Sequence, residues 1–177
     1  MILTGTASAT TLTAPYEPVY TGTIKASSEG AITVHNPALG VSAACQSSTL
    51  EGKVEQHGSG VAAGGKLSSF TLSECGTDEV NVLARGSLEI HATEGGNGTV
   101  TWTGASITIT HSTVGVSCIY KTEGTDIGTL TGSTTTNATL DLNSSTIPRA
   151  GDSIFCGSKG TLTGSYKITM PSTLVVD

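Results

Sequence analysis

The 177-residue chain is poor in charge, in aromatic rings and in anything that reads as helix. Charged residues make up 12%, about half of the roughly 25% usual in soluble proteins. Eight Lys and Arg stand against fourteen Asp and Glu, a formal net charge of -6, and the basic residues are not clustered. Such a chain has nothing with which to neutralise the phosphates of DNA, RNA or an anionic lipid surface, so nucleic acid is excluded as a partner. No apolar run approaches the roughly 18 residues of a spanning helix, and no membrane insertion is expected. No window sets apolar residues three and four apart over three turns, and the abundant Thr and Gly are poor helix formers. Aromatic residues are 4% of the chain, with a single Trp. A core has to be built from aliphatic side chains and reinforced by something else.

Recognisable chemistry is scarce as well. No GxSxG-type turn frames a Ser, and no His or carboxylate stands next to a nucleophile in a recognisable motif. His35 and His111 fall at strand ends just before turns and are expected to be solvated edge residues. Cys45, Cys75, Cys118 and Cys156 show no CxxC spacing and have no His at zinc-ligand offsets. Asp126, Asp141 and Asp152 do not follow a calcium-loop pattern. The chain is therefore read as non-enzymatic, with no catalytic residues, no metal site and no cofactor.

What is present points to β structure throughout. A hydrophobic share of 36% together with 23 Gly gives roughly 49% apolar residues, as in an ordinary globular chain of one domain. Val, Ile, Thr and Tyr alternate with polar residues in VYTGTIKA (19–26), AITVHN (31–36), LEGKVEQH (50–57), KLSSFTLSE (66–74), VNVLARGSLEIHA (80–92), GTVTWT (98–103), SITITH (106–111), VSCIYK (116–121), IGTLTG (127–132), ATLDLN (138–143) and GTLTGSYKIT (160–169). Between these runs SSEG, NPALG, HGSG, EGGNG, TEGTD and RAGD are turn chemistry. Short strands at this spacing predict an all-β fold, an antiparallel sandwich or barrel-like sandwich.

The chain also repeats itself. AITVHNPALGVS at 31–42 aligns without a gap on SITITHSTVGVS at 106–117, and GSLEI at 86–90 resembles GSYKI at 164–168. Two pseudo-repeated halves are expected, at about 19–95 and 97–172, forming one domain over 16–177. Val100 and Trp102 have one parity, Ile107 and Ile109 the other, so a tight hairpin is expected at Gly104. Four cysteines allow three pairings. The doubling favours Cys45 with Cys75 and Cys118 with Cys156, one bridge per half, and such bridges belong to an oxidising compartment.

Residues 1–15 read in two ways. Ala7-Ser8-Ala9 has the small-x-small form of a signal-peptide cleavage site, but no basic region or long apolar stretch precedes it, so the segment is the remnant of a signal peptide or an N-terminal arm. Trp102 and Tyr120 are candidate ligand-binding residues, on the reading that aromatic rings form a sugar-stacking platform.

Several runs carry a resemblance: TAPYEPVYTGTIKAS, CQSSTLEGKV, GSLEIHATEGGNGTVTWTGASITIT with VSCIYKTEGTDIGTLTGS, and TIPRAGDSIFCGSKGTLTGSYKITMPSTLVV. In these, from about Thr13 onward, the chain resembles secreted four-cysteine β proteins of actinobacteria, a group whose functions are mostly unassigned. The resemblance implies an exported, disulfide-paired β protein and carries no catalytic residues. The N-terminus departs from the group's full signal peptide, which leaves a phage-encoded relative mounted on a virion as a second form of it. The expected function is a structural or adhesive surface protein, extracellular or exposed on a cell or virion, with itself or neighbouring subunits as partners. The alternative is a carbohydrate-binding module with a glycan partner.

Overall fold

Alternation decides the inside and outside of each strand. Ile32, Val34 and Asn36 are buried and the residues between them are not, and Val100, Trp102, Ile107 and Ile109 repeat the pattern further on. A computed structural model describes residues 10–57 and 62–177; the expected cleavage-site residues Ala7, Ser8 and Ala9 lie outside the described residues. Described in chain order, the strands are β1 (Leu12–Thr13), β2 (Thr23–Ser28), β3 (Ile32–Asn36), β4 (Val41–Cys45), β5 (Ser47–Lys53), β6 (Gln56–His57), β7 (Ala63–Ser73), β8 (Glu79–Ala92), β9 (Gly98–His111), β10 (Val116–Thr131), β11 (Thr139–Pro148), β12 (Lys159–Met170) and β13 (Val175–Val176). Two single-turn 3-10 helices, Glu94–Gly96 and Ile154–Cys156, are the helical content among the described residues.

Eight of these strands form a ring. β2, β5, β7, β8, β9, β10, β11 and β12 pair antiparallel in that order, and β12 returns to β2, closing an eight-stranded barrel. The expected all-β antiparallel fold is present in its closed form, and closure removes the edges an open sheet would expose. β3 carries on the course of β2 along β12, pairing Thr33 with Thr163 after Ser28 has paired with Tyr166, and β4 pairs with β3. An eight-stranded ring is just wide enough for side chains to fill. Here Leu50, Ile90, Val100, Leu130, Leu140 and Ile168 are buried within it.

One end is capped by the two ends of the described chain. Leu12 pairs with Val176 and Thr13 with Val175, while the backbones of Thr11 and Asp177 exchange hydrogen bonds of 2.7 and 2.8 Å. Leu12, Leu174 and Val176 are buried beneath this ribbon. The described part of the expected arm thus pairs with its own C-terminal strand.

The parity change at Gly104 has a different cause from the expected hairpin. β9 runs unbroken from Gly98 to His111, and its ladders to β8 and β10 continue on both sides of Gly104. Gly86 on β8, Gly104 on β9 and Gly124 on β10 are near neighbours across the three strands, with φ of 71°, 75° and 67°. Together they form a line across the sheet: Gly104 and Gly124 fall at register shifts of the β9–β10 ladder, and on β9 the inward-facing residues change parity there, whereas the shift of β8 against β9 lies between Val82 and Ala84. The expected turn at TEGTD is likewise part of β10. Glycine signals a reversal and a bulge alike, because both need a positive φ.

The matched segments share local geometry. Asn36 and His111 occupy equivalent positions, both fully buried at the end of a strand, and each carbonyl accepts from a turn glycine, Gly40 N at 2.9 Å and Gly115 N at 2.8 Å. The likeness does not extend to strand lengths or cysteines. β4 has 5 residues and β10 has 16, and the position matching Cys45 is Tyr120.

These glycines yield a graded expectation. A Cβ at Gly104 would meet only Gly86 Cα, at 3.8 Å, whereas one at Gly86 would overlap Thr103 O and Ala105 N. Gly104→Ala should cost about 1–2 kcal/mol from φ alone. Gly86→Ala should cost clearly more. Urea denaturation of the two variants checks the order.

Candidate functional site

The barrel wall lapses in two places. β10 and β11 pair only from Thr129↔Asp141 to Thr131↔Thr139. Beyond that stretch the space between them is occupied by the chain leading into β12: Ala150 N donates to Ile119 O at 2.9 Å, Gly151 lies against Ile119, and Cys156 is bonded to Cys118. β7 and β8 pair only from Ala63↔Ile90 to Lys66↔Ser87. Past that point β7 stays with β5 and β8 stays with β9, and the two strands diverge.

That second lapse is an open groove of about 680 Å³, lined among others by Leu67, Phe70, Val82, Leu83 and Arg85. Arg85 reaches across its narrow end, where Nη1 donates to Ser68 O at 2.7 Å. A guanidinium thus serves a main-chain carbonyl where a neighbouring strand would otherwise do so. Leu83 is 59% exposed at the rim. Lys66 and Arg85 give the groove a basic margin.

Trp102 lies beneath the groove. It is 2% exposed, its ring meets Phe70 edge-on at 4.8 Å, and its indole N–H donates to Arg85 O at 2.8 Å. Tyr120 is 1% exposed and accepts from Asn36 Nδ2 at 2.8 Å. The sugar-stacking platform expected from these two residues is therefore corrected: both lie on the inward face of their strands, and neither ring has a face in solvent. His111 is a second correction. Instead of being a solvated edge residue it is fully buried, with both ring nitrogens lacking a hydrogen-bond partner and Nδ1 3.7 Å from Asp78 Oδ2. It ends a strand, and Asp78, just before β8, stands beside its ring. His35 is only half-buried, with Nδ1 2.8 Å from Ser42 Oγ.

The cysteines pair as the doubling favoured. Cys45–Cys75 continues the β5–β7 ladder beyond Ser47↔Ser73, with Gln46 N donating to Glu74 O at 3.1 Å beside it. It holds the end of β7 on the side away from the groove. Cys118–Cys156 fastens the chain that fills the other lapse. Asn36 organises that region: Nδ2 also donates to Cys156 O at 3.3 Å, and Oδ1 accepts from Ala38 N and Leu39 N. Two disulfides fit folding outside the reducing cytosol, and no helix among the described residues is long and apolar enough to cross a membrane.

A polar tie crosses the barrel near the groove. Ser48 Oγ donates to Thr71 O at 2.7 Å and stands 2.7 Å from the Tyr166 hydroxyl, linking β12, β5 and β7. Burial pushes the Tyr166 phenol up to about 12, an effect the Ser48 hydrogen bond partly offsets. The Tyr120 hydroxyl is also raised, by burial first, with Asn36 pulling the other way.

The groove residues were not foreseen, although one signal existed. In VNVLARGSLEI, Val80 and Val82 share a parity with Leu88 and Ile90, and Leu83 is the large apolar residue out of phase. No family model, curated protein or solved structure matches the chain, so its functional reading rests on its own residues.

Two expectations follow. Tyr166 should stay protonated well past pH 10, and because ionisation is easier in the unfolded chain, stability is fully present below about pH 10. It is then lost as pH rises through about 12, by on the order of 3 kcal/mol. Ultraviolet titration with parallel unfolding curves measures both. Replacing either cysteine pair with Ser should cost about 3–4 kcal/mol on chain entropy. The loss should be larger for Cys118 with Cys156, whose removal also disturbs the Asn36 contacts, as chemical denaturation would read.

Proposed function

We propose that the chain is a non-enzymatic structural or adhesive protein, a subunit or decoration of an extracellular assembly on a cell envelope or virion surface. In this reading it joins a neighbouring copy by taking an extended strand into the open groove between β7 and β8. The observation that carries the proposal is the contrast between the two lapses in the wall. One is filled by the protein's own chain and fastened by a disulfide, while the other is left with diverging strands and an exposed leucine. Main-chain groups along a diverging strand supply affinity for an added strand, and the pockets beside it supply selectivity. Low charge and a Thr-rich surface suit close lateral packing, and the disulfides suit persistence outside the cell. Under the same proposal the two expected halves, about 19–95 and 97–172, descend from a duplication, each supplying four successive courses of the ring.

The test uses the unreduced protein. Sedimentation and electron microscopy across a concentration series should show ordered association, accompanied by a change in the emission of Trp102, which packs on Phe70 in the groove wall. Leu83→Lys, a charge on the strand that bounds the groove, should weaken association by about tenfold or more without unfolding the barrel. Monodisperse monomers at every concentration would sink the self-association on which the proposal rests.

A further inference from the structure

The ring is not completely filled. Beneath the terminal ribbon lies a cavity of about 70 Å³ whose lining is almost wholly apolar, with Leu12 and Leu174 from the ribbon side and Leu50, Val100, Leu140 and Ile168 from the wall. Its origin is local. Along β5 and just past its end the inward positions are Leu50, Gly52 and Val54, so the middle one carries no side chain. None fits, because a Cβ at Gly52 would lie 2.8 Å from Lys66 O and 3.3 Å from Leu67 Cδ2. Gly65 opposite is under the same constraint, since a Cβ there would run into Lys53 O. Close approach of β5 and β7 thus fixes small residues on that side of the lumen, and Ala26 on β2, also in the lining, adds little bulk.

A cavity of this volume has room for water, but water needs two to four polar partners, which an apolar lining does not supply. Apolar cavities stay dry and bind apolar guests; the 70 Å³ here is roughly half of the ~150 Å³ engineered cavity that takes benzene or xenon. Closed eight-stranded rings are also the size that holds one small ligand.

We propose that this cavity is a binding site for an uncharged hydrocarbon group of a few carbons, either a small free molecule or the end of a longer alkyl chain. It is admitted by parting the ribbon of β1 and β13, whose strands have two residues each and form the roof over the site. The inference is independent of the groove on the barrel wall and of how copies associate.

Methyl-labelled, disulfide-intact protein would be titrated with xenon, pentane and dodecan-1-ol while the methyl resonances of Leu50, Leu140, Ile168 and Leu174 are followed. Saturable shifts confined to these methyls with xenon and pentane are expected. If dodecan-1-ol adds shifts at Leu12, the site accepts chain ends; if it has no effect, the site takes free small molecules. Ala26→Val fills the space and should weaken pentane binding by about tenfold or more. Should that variant fold poorly, Ile168→Val, which enlarges the space by one carbon, should admit cyclohexane where the natural protein does not. Absence of saturable shifts with all three probes overturns the proposal, as do shifts that persist unchanged in folded Ala26→Val.

Discussion

The structure depends on the closure of one ladder. β12 pairs along its length with β11 on one side, and on the other with β2 and then β3. Without that double pairing the remaining strands would form an open meander with two long edges, in a chain with few charges to protect them. With it, the aliphatic faces turn inward around one lumen, and a protein with so few aromatic residues obtains a core. The Tyr166 hydroxyl on β12 sits 2.7 Å from Ser48 Oγ on β5, so the closing strand is also tied across the interior.

Closure and bending are linked. A ring of long strands must turn corners, and β8, β9 and β10 carry positive-φ glycines side by side at Gly86, Gly104 and Gly124. On β9 the inward-facing residues change parity at Gly104, which lets Val100 and Trp102 share the interior with Ile107 and Ile109. The wall has two lapses, between β10 and β11 and between β7 and β8. In one lapse the protein supplies its own filling and a disulfide. In the other it leaves a groove with Trp102 behind it and Arg85 across its narrow end.

Much of this was legible in the sequence. Alternation in AITVHN, GTVTWT and ATLDLN gave β structure, and the doubling singled out the cysteine pairing that the structure contains. Legibility stopped where one local signal serves two geometries. A glycine between runs of opposite parity marks either a hairpin or a bulge, and only the partner strands decide at Gly104. An aromatic ring in an alternating strand is a platform or a core residue according to which face the sheet buries, and Trp102 and Tyr120 are both inside. His111 ends its strand as expected, yet it is fully buried, and Asp78, 3.7 Å from its ring, lies outside the matched segment. The groove could not be read at all, because diverging strands are a property of the ring and leave only Leu83 out of phase as a trace.

The pairing of Thr11 with Asp177 bears on how the protein would carry mechanical load. In an antiparallel ribbon whose outermost pair is Thr11 and Asp177, tension applied to that pair meets the hydrogen bonds one pair at a time, as in unzipping. Tension along parallel-sided ladders would instead meet many at once. The ribbon would therefore yield at low force while the ring behind it kept its shape. Under such tension the molecule would lengthen slightly at this point, uncovering the apolar space beneath before any wall strand was lost.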